Sequence, residues 1–208
     1  MSLVLAPIHS LMYRRILFSD ELGNALLAWA KAEGYVNDED VQALNEAFPE
    51  AEHKPLVEII DSSNIHGWLH DKTVTTEKRL ARALRLITDK VDLSADNTAK
   101  ASMLAAVREL GEGRDVPTPE AAADAFNLIS GFLLDGMPCD GVIVRDATEG
   151  DSVSWRVDHP DREMFWEEEQ LDPTLFYDIR AAFVDGLLAD SSVAFRRDAE
   201  RSFSLTKE

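Results

Sequence analysis

Glu58, Ser62, His66 and His70 follow one another at intervals of four residues, a spacing that stacks side chains along one ridge of a helix. Two imidazoles one turn apart can share a divalent metal, and a carboxylate two turns earlier can support a ligand or act as a base. His66, His70 and Glu58 are therefore the candidate metal set, with His9, His53 and His159 free to contribute from elsewhere. The glutamate that follows the first histidine in zinc peptidases is missing, and Gly67 weakens the helix inside the pattern. The plain alternative is a polar helix end where the dipole favours histidine.

Other reactive types sit in less favourable settings. The single cysteine, Cys139, lies between Pro138 and Asp140 after a predicted helix end. A helix C-terminus and an aspartate both disfavour a thiolate, so it reads as a small apolar filler. Lys72, Lys78, Arg79, Arg82, Arg85 and Lys90 hold six of the 21 basic residues, and Lys78, Arg82 and Arg85 share a helical face. That face suits a ligand carboxylate or phosphate, or else pairs with the chain's own acids. Arg14 and Arg15 are read the same way. Glu167-Glu168-Glu169 lacks the alternating pattern of a calcium loop and reads as a solvated face.

Phe126, Phe132, Trp155, Trp166, Tyr177 and Phe183 gather in the C-terminal part of the 208-residue chain. Rings where helices cover a sheet form core, and they also line cavities for apolar ligands. These six are the candidate ligand-binding residues.

The elements that must position them read as helices first and strands last. Ile8 to Glu33 forms one long helix or two broken at Ser19-Asp20, with Gly34 just past the end. Asn37 caps a short helix that Pro49 stops. A third helix is expected from about Lys54 to His70 and a fourth from Thr75 or Thr76 to about Lys90. Ser94 caps a fifth that ends at Gly111. Thr118 and Pro119 open a sixth, with Gly136 just beyond its end. Val142–Asp146 and the alternating Ser152–Asp158 read as a hairpin around Thr148-Glu149-Gly150-Asp151. A short acidic helix with Met164, Phe165 and Trp166 follows His159-Pro160-Asp161. Asp172-Pro173 then starts a strongly periodic helix to about Ala189, and Ser192–Arg197 and Ser202–Thr206 form a second hairpin.

Hairpin, helix and hairpin predict a four-stranded antiparallel sheet roofed by the Thr118 and Pro173 helices. The fold class is α+β, a single domain over 1–208 with a helical subregion 8–134 and a sheet-containing subregion 141–206. The short Gly111–Pro117 segment is an ordinary loop.

This order of elements, with Phe183-Val184-Asp185-Gly186-Leu187-Leu188 between the hairpins and Phe203 and Leu205 alternating at the end, resembles the V4R (4-vinyl reductase) small-molecule-binding domains. The cysteines that flank a Gly-Asp turn in that family's final hairpin have no counterpart between Arg196 and Ser202, so no metal role carries over. The resemblance implies a ligand-binding module.

Charge limits the partners. With 21 basic and 39 acidic residues the net charge is −18, which repels phosphate backbones and anionic lipid. Neither nucleic acid nor membrane is expected as a partner, and no apolar run approaches the about 18 residues of a membrane span. One cysteine and no recognisable signal peptide fit a cytoplasmic protein. The leading expectation is a sensor or accessory protein that holds a small molecule between helices and sheet. The alternatives are a metal-dependent hydrolase or lyase using His66 and His70, and an acidic interaction module. Whether the protein is an enzyme stays open, a homodimer is compatible with every reading, and no cofactor is identified by the residues.

Overall fold

In the computed structural model, residues 5–136, 140–146, 151–158 and 163–208 are described. Eight helices and four strands are found among them: α1 Pro7–Ala32, α2 Asp38–Ala47, α3 Leu56–Ile59, α4 Ile65–Thr88, α5 Asn97–Glu112, α6 Ala122–Ser130, β1 Ile143–Arg145, β2 Ser152–Val157, α7 Glu163–Glu168, α8 Pro173–Leu187, β3 Val193–Ala199 and β4 Ser202–Lys207. The α+β class is as expected, with helices first and a four-stranded antiparallel sheet at the end.

Several boundaries follow directly from local chemistry. Asn37 and Asp40 form a reciprocal capping box on α2. Asp172 accepts the Thr174 amide at the start of α8, with Pro173 in its first turn. Gly34 takes φ +79° just after α1, which a side chain would strain.

Others were displaced by tertiary demands. α1 is one helix, and Ser19 and Asp20 are buried in its interior; neither is a cap. The expected third helix is split. Ser63 donates through both its amide and hydroxyl to Asp61, and Asn64 caps a new helix by accepting the Gly67 amide. That polar Asp-Ser-Ser-Asn run satisfies its own backbone in a turn, so the chain breaks there and restarts. His66 and His70 consequently begin α4, which runs on through Thr75 and Thr76 as one helix to Thr88. They lie at the positive end of its dipole, opposite to the end that favours histidine.

Ser94 donates to Asp92 instead of capping, and Asp96 caps α5. α6 starts at Ala122 and ends at Ser130, so Phe132 and Leu133 lie beyond it. Cys139, Thr148 to Gly150 and His159 to Asp161, and the expectations that fell on them, lie outside the described residues.

The sheet order is β1-β2-β4-β3, all antiparallel. Trp155 pairs with Phe203 and Val153 with Leu205 across β2 and β4, which puts the apolar residues of both strands on one face. α6 packs on β2 and β4, and α8 packs on β3, so the two expected helices do cover that face. One hydrophobic cluster runs from Phe18 on α1 to Leu205 on β4.

α1 and α4 run parallel, since their contacts climb together: His9 with His66, Tyr13 with Trp68, Ser19 with Glu77, Gly23 with Leu80. α5 and α8 pack closely. A Cβ on Gly111 would strike the Phe183 carbonyl, and one on Gly186 would strike the Arg108 carbonyl. Backbone touches backbone at this crossing. Gly186→Ala should therefore lower stability by about 1–3 kcal/mol through forced separation of α5 from α8, read as a fall in the denaturant midpoint. An unchanged midpoint would show that the crossing is slack.

Candidate functional site

The six rings proposed to surround a ligand are instead filled against one another and against the chain's own arginines. Phe126 meets Trp155 edge to face at 5.1 Å, and the Arg145 guanidinium lies 4.4 Å above the Phe126 ring. Trp155 stacks on Phe203 at 5.5 Å. Phe132 and Phe183 are 5.5 Å apart, and both contact Phe18. The Arg114 guanidinium sits over all three of these rings, 5.3–5.9 Å from their centres, with Glu21 as counter-ion at 2.9 Å. Trp166 packs on Phe176 at 4.9 Å, and Arg197 lies 5.3 Å above Tyr177. Cation–ring contacts of this kind contribute about 0.5–2 kcal/mol each according to exposure.

Little space is left there. A cavity bounded by Trp166, Tyr177, Glu163 and Asp135 measures about 10 Å³, and another beside Trp155, Phe195 and Phe203 also measures about 10 Å³. Each has room for about one water. The first has a few polar groups in an otherwise apolar wall. The Tyr177 hydroxyl donates to Glu163 at 3.3 Å, Glu163 pairs with Arg201, and Asp135 pairs with Arg180 at 2.5 Å. Burial pushes the Tyr177 hydroxyl up to about 12; the Arg180 cation pulls the other way, and Glu163 adds to the rise. Trp166 Nε1 is buried with no hydrogen-bond partner among the described residues.

The metal set does not assemble. Glu58 is exposed on α3, across the break from His66 and His70, and no group of three or more histidine, cysteine, aspartate or glutamate residues is placed to hold a metal among the described residues. The cationic face of α4 and the acidic end of α7, read separately from the sequence, turn out to answer each other. Lys78 lies 3.7 Å from Glu168, Arg82 pairs with Glu169 at 2.9 Å, and Arg85 donates to the Glu169 carbonyl at 3.3 Å. At these exposures each pair contributes about 0–1 kcal/mol. Arg15 donates to the Ser130 carbonyl at 2.7 Å.

Two features escaped the sequence reading. The first is a buried charge cluster between α1 and α4. Arg79 and Asp20 are each 1% exposed at the side chain, with Nε and Oδ1 3.4 Å apart. One guanidinium nitrogen of Arg79 donates to Asn24 at 2.9 Å and Asn45 at 2.7 Å and faces Glu50 at 3.3 Å. It thereby ties α2 and the segment after it onto the α1–α4 pair. The signal was present: Asp20 stands on the stripe of Ile16, Gly23 and Leu27, where an apolar residue is expected.

The second is a polar cleft of about 380 Å³. It lies where the end of α4, the turn before α5 and the start of α8 meet. Arg85, Lys100, Thr88 and Ser94 are in its wall, together with the carboxylates of Asp92 and Asp172. Gln170, also in that wall, has φ +57°, an unusual backbone for a residue with a side chain. Arg85 pairs with Asp89 at 2.5 Å and Lys100 with Asp178 at 2.7 Å, and both cations stay about one third exposed at the side chain.

Burial pushes the Asp20 carboxyl above its ordinary value; Arg79 and the Ala51 amide pull it down, Glu50 pushes it up, and His53 pulls it down. The folded protein therefore holds this proton at pH values where the unfolded chain has released it, so Asp20 costs stability as pH rises from its ordinary value of 3.8 through its raised folded value. Asp20→Asn should gain stability relative to the native protein across that window and hold the difference constant above it. Urea unfolding at a series of pH values measures this; a difference independent of pH would show that the carboxyl is not perturbed.

No protein-family model, no curated protein and no solved structure matches this chain.

Proposed function

We propose that the protein is a small-molecule-binding accessory or sensor protein whose ligand is a small anion, a carboxylate or phosphate, seated in the cleft between α4, α5 and α8. The observation that carries this reading is a ligand-sized cleft of about 380 Å³ with Arg85 and Lys100 in its wall. Arginine presents a planar pair of donors to such a group, and lysine adds a point charge. The wall also carries Asp92 and Asp172, so the anion would be held by direct contact with the two cations and not by a net positive field. The reading keeps the ligand-binding role implied by the V4R resemblance and moves the seat away from the ring-filled helix–sheet junction. A cytoplasmic setting and a homodimer are both compatible with it. A panel of small carboxylates and phosphates should raise the melting temperature of the native protein. Arg85→Gln and Lys100→Gln should each abolish that shift; a panel with no active member, or a shift that both variants retain, rejects the seat.

A second reading rests on a different observation. Residues 33–52 carry seven acidic side chains and no basic one, and α2 lies at their centre. Such an arm would dock a basic partner protein through charge. The complex should weaken steeply as salt is raised from about 0.05 to 0.5 M. Salt-insensitive capture of a partner would discard the electrostatic form of this reading.

A further inference from the structure

The cleft between α4, α5 and α8 presents both signs of charge, and the two differ in how far they are already satisfied. Arg85 is paired with Asp89 and Lys100 with Asp178. Asp92 accepts the Ser94 amide and hydroxyl and the Ala95 amide, and Asp172 accepts the Thr174 amide, in each case through Oδ1. Among the described residues neither aspartate has a cation as partner, and no hydrogen bond reaches Oδ2 of either. The Ser94 hydroxyl and amide, with the Ala95 amide, hold the Asp92 carboxyl below its ordinary value of 3.8, so it is ionised at neutral pH.

A ligand that offered only negative charge would meet these two carboxylates unanswered. An ammonium group answers them through charge-assisted hydrogen bonds. The cations still have something to give. Arg85 spends one terminal nitrogen on Asp89 and the other on the Glu169 carbonyl, and Lys100 reaches Asp178, yet each keeps further N–H donors for a ligand carboxylate. The apolar part of the wall is Leu93, Leu171 and Leu175, all anchored in the main core.

We propose that the occupant of this cleft is a free α-amino acid with an aliphatic side chain. Its carboxylate is held by Arg85 and Lys100, its ammonium by Asp92 and Asp172, and its side chain lies along Leu93, Leu171 and Leu175. The inference rests on the reading of this cleft as a carboxylate or phosphate seat and specifies it: carboxylate over phosphate, and a zwitterion over a simple anion. A zwitterion has no net charge, so the chain's overall −18 does not repel it as it repels an anion.

The test is calorimetric titration of the full chain at neutral pH with four probes. These are L-leucine, 4-methylpentanoate (the same skeleton without the ammonium), 3-methylbutylamine (without the carboxylate) and inorganic phosphate. Leucine should bind once per chain, and each of the other three should bind about tenfold or more weakly, because a site built for a polar group rejects the analogue that lacks it. That comparison uses the native protein and depends on no variant folding. Asp92→Asn and Asp172→Asn keep a side-chain oxygen for the Ser94 and Thr174 amides. Each should weaken leucine by about fivefold or more and leave 4-methylpentanoate within about twofold. If 4-methylpentanoate or phosphate binds as tightly as leucine, the zwitterion is overturned and the anion seat stands. If 3-methylbutylamine matches leucine, both are overturned. No binding of leucine by the native protein, or native-like leucine binding by both aspartate variants, also overturns the proposal.

Discussion

The tightest constraint in this molecule is the contact of backbone on backbone where α5 crosses α8 at Gly111 and Gly186. Without side chains at the crossing the helices approach closely enough to set Phe183 against Phe18 and Phe132, and so to join α1 to the C-terminal part. α8 also carries Phe176, Tyr177, Ile179 and Val184 into the core and lies on β3. The sheet is thus positioned through α8 together with α6, which packs on β2 and β4. Interiors at crystal-like density transmit such a constraint because they have no slack to absorb it.

The ring-rich junction shows how a composition that suggests a pocket can make a solid core. Each of the six rings finds another ring within about 6 Å, and Arg114, Arg145 and Arg197 cap the faces that remain. Two of these arginines have their charge answered: Arg114 by Glu21, Arg197 by Asp178 at 2.6 Å. Space large enough for a ligand lies elsewhere, between polar ends of helices, where irregular turns pack less completely than the helix–sheet interface.

The two halves of the helical region are held by different means. α5, α6 and α8 share an extensive apolar core with the sheet. The α2 segment sets Leu44, with partly buried Val41 and Phe48, into a small cluster with Leu27 and Ala83 and is otherwise secured by the Arg79 hydrogen bonds and by Tyr13, whose hydroxyl reaches the Glu52 and Lys54 carbonyls. A buried cation is costly to strand, so Arg79 and its partners act as a unit.

Local rules carried much of the architecture. Asn37 and Asp40, Asp172 and Pro173, Gly34, and the strict alternation of Ser152 to Val157 each state a boundary or a face within a few residues, because capping and pleating are short-range effects. From the sequence by itself came the α+β order, the two hairpins and the helices that roof them. Tertiary structure alone decided that α1 runs unbroken through Ser19 and Asp20, since burying Asp20 depends on Arg79 nearly sixty residues away. It also decided that the cations of α4 meet the acids of α7, that Arg114 occupies the rings, and that His9 meets His66. Those outcomes depend on which helices lie side by side, and residues far apart in a chain leave no periodicity that records their meeting.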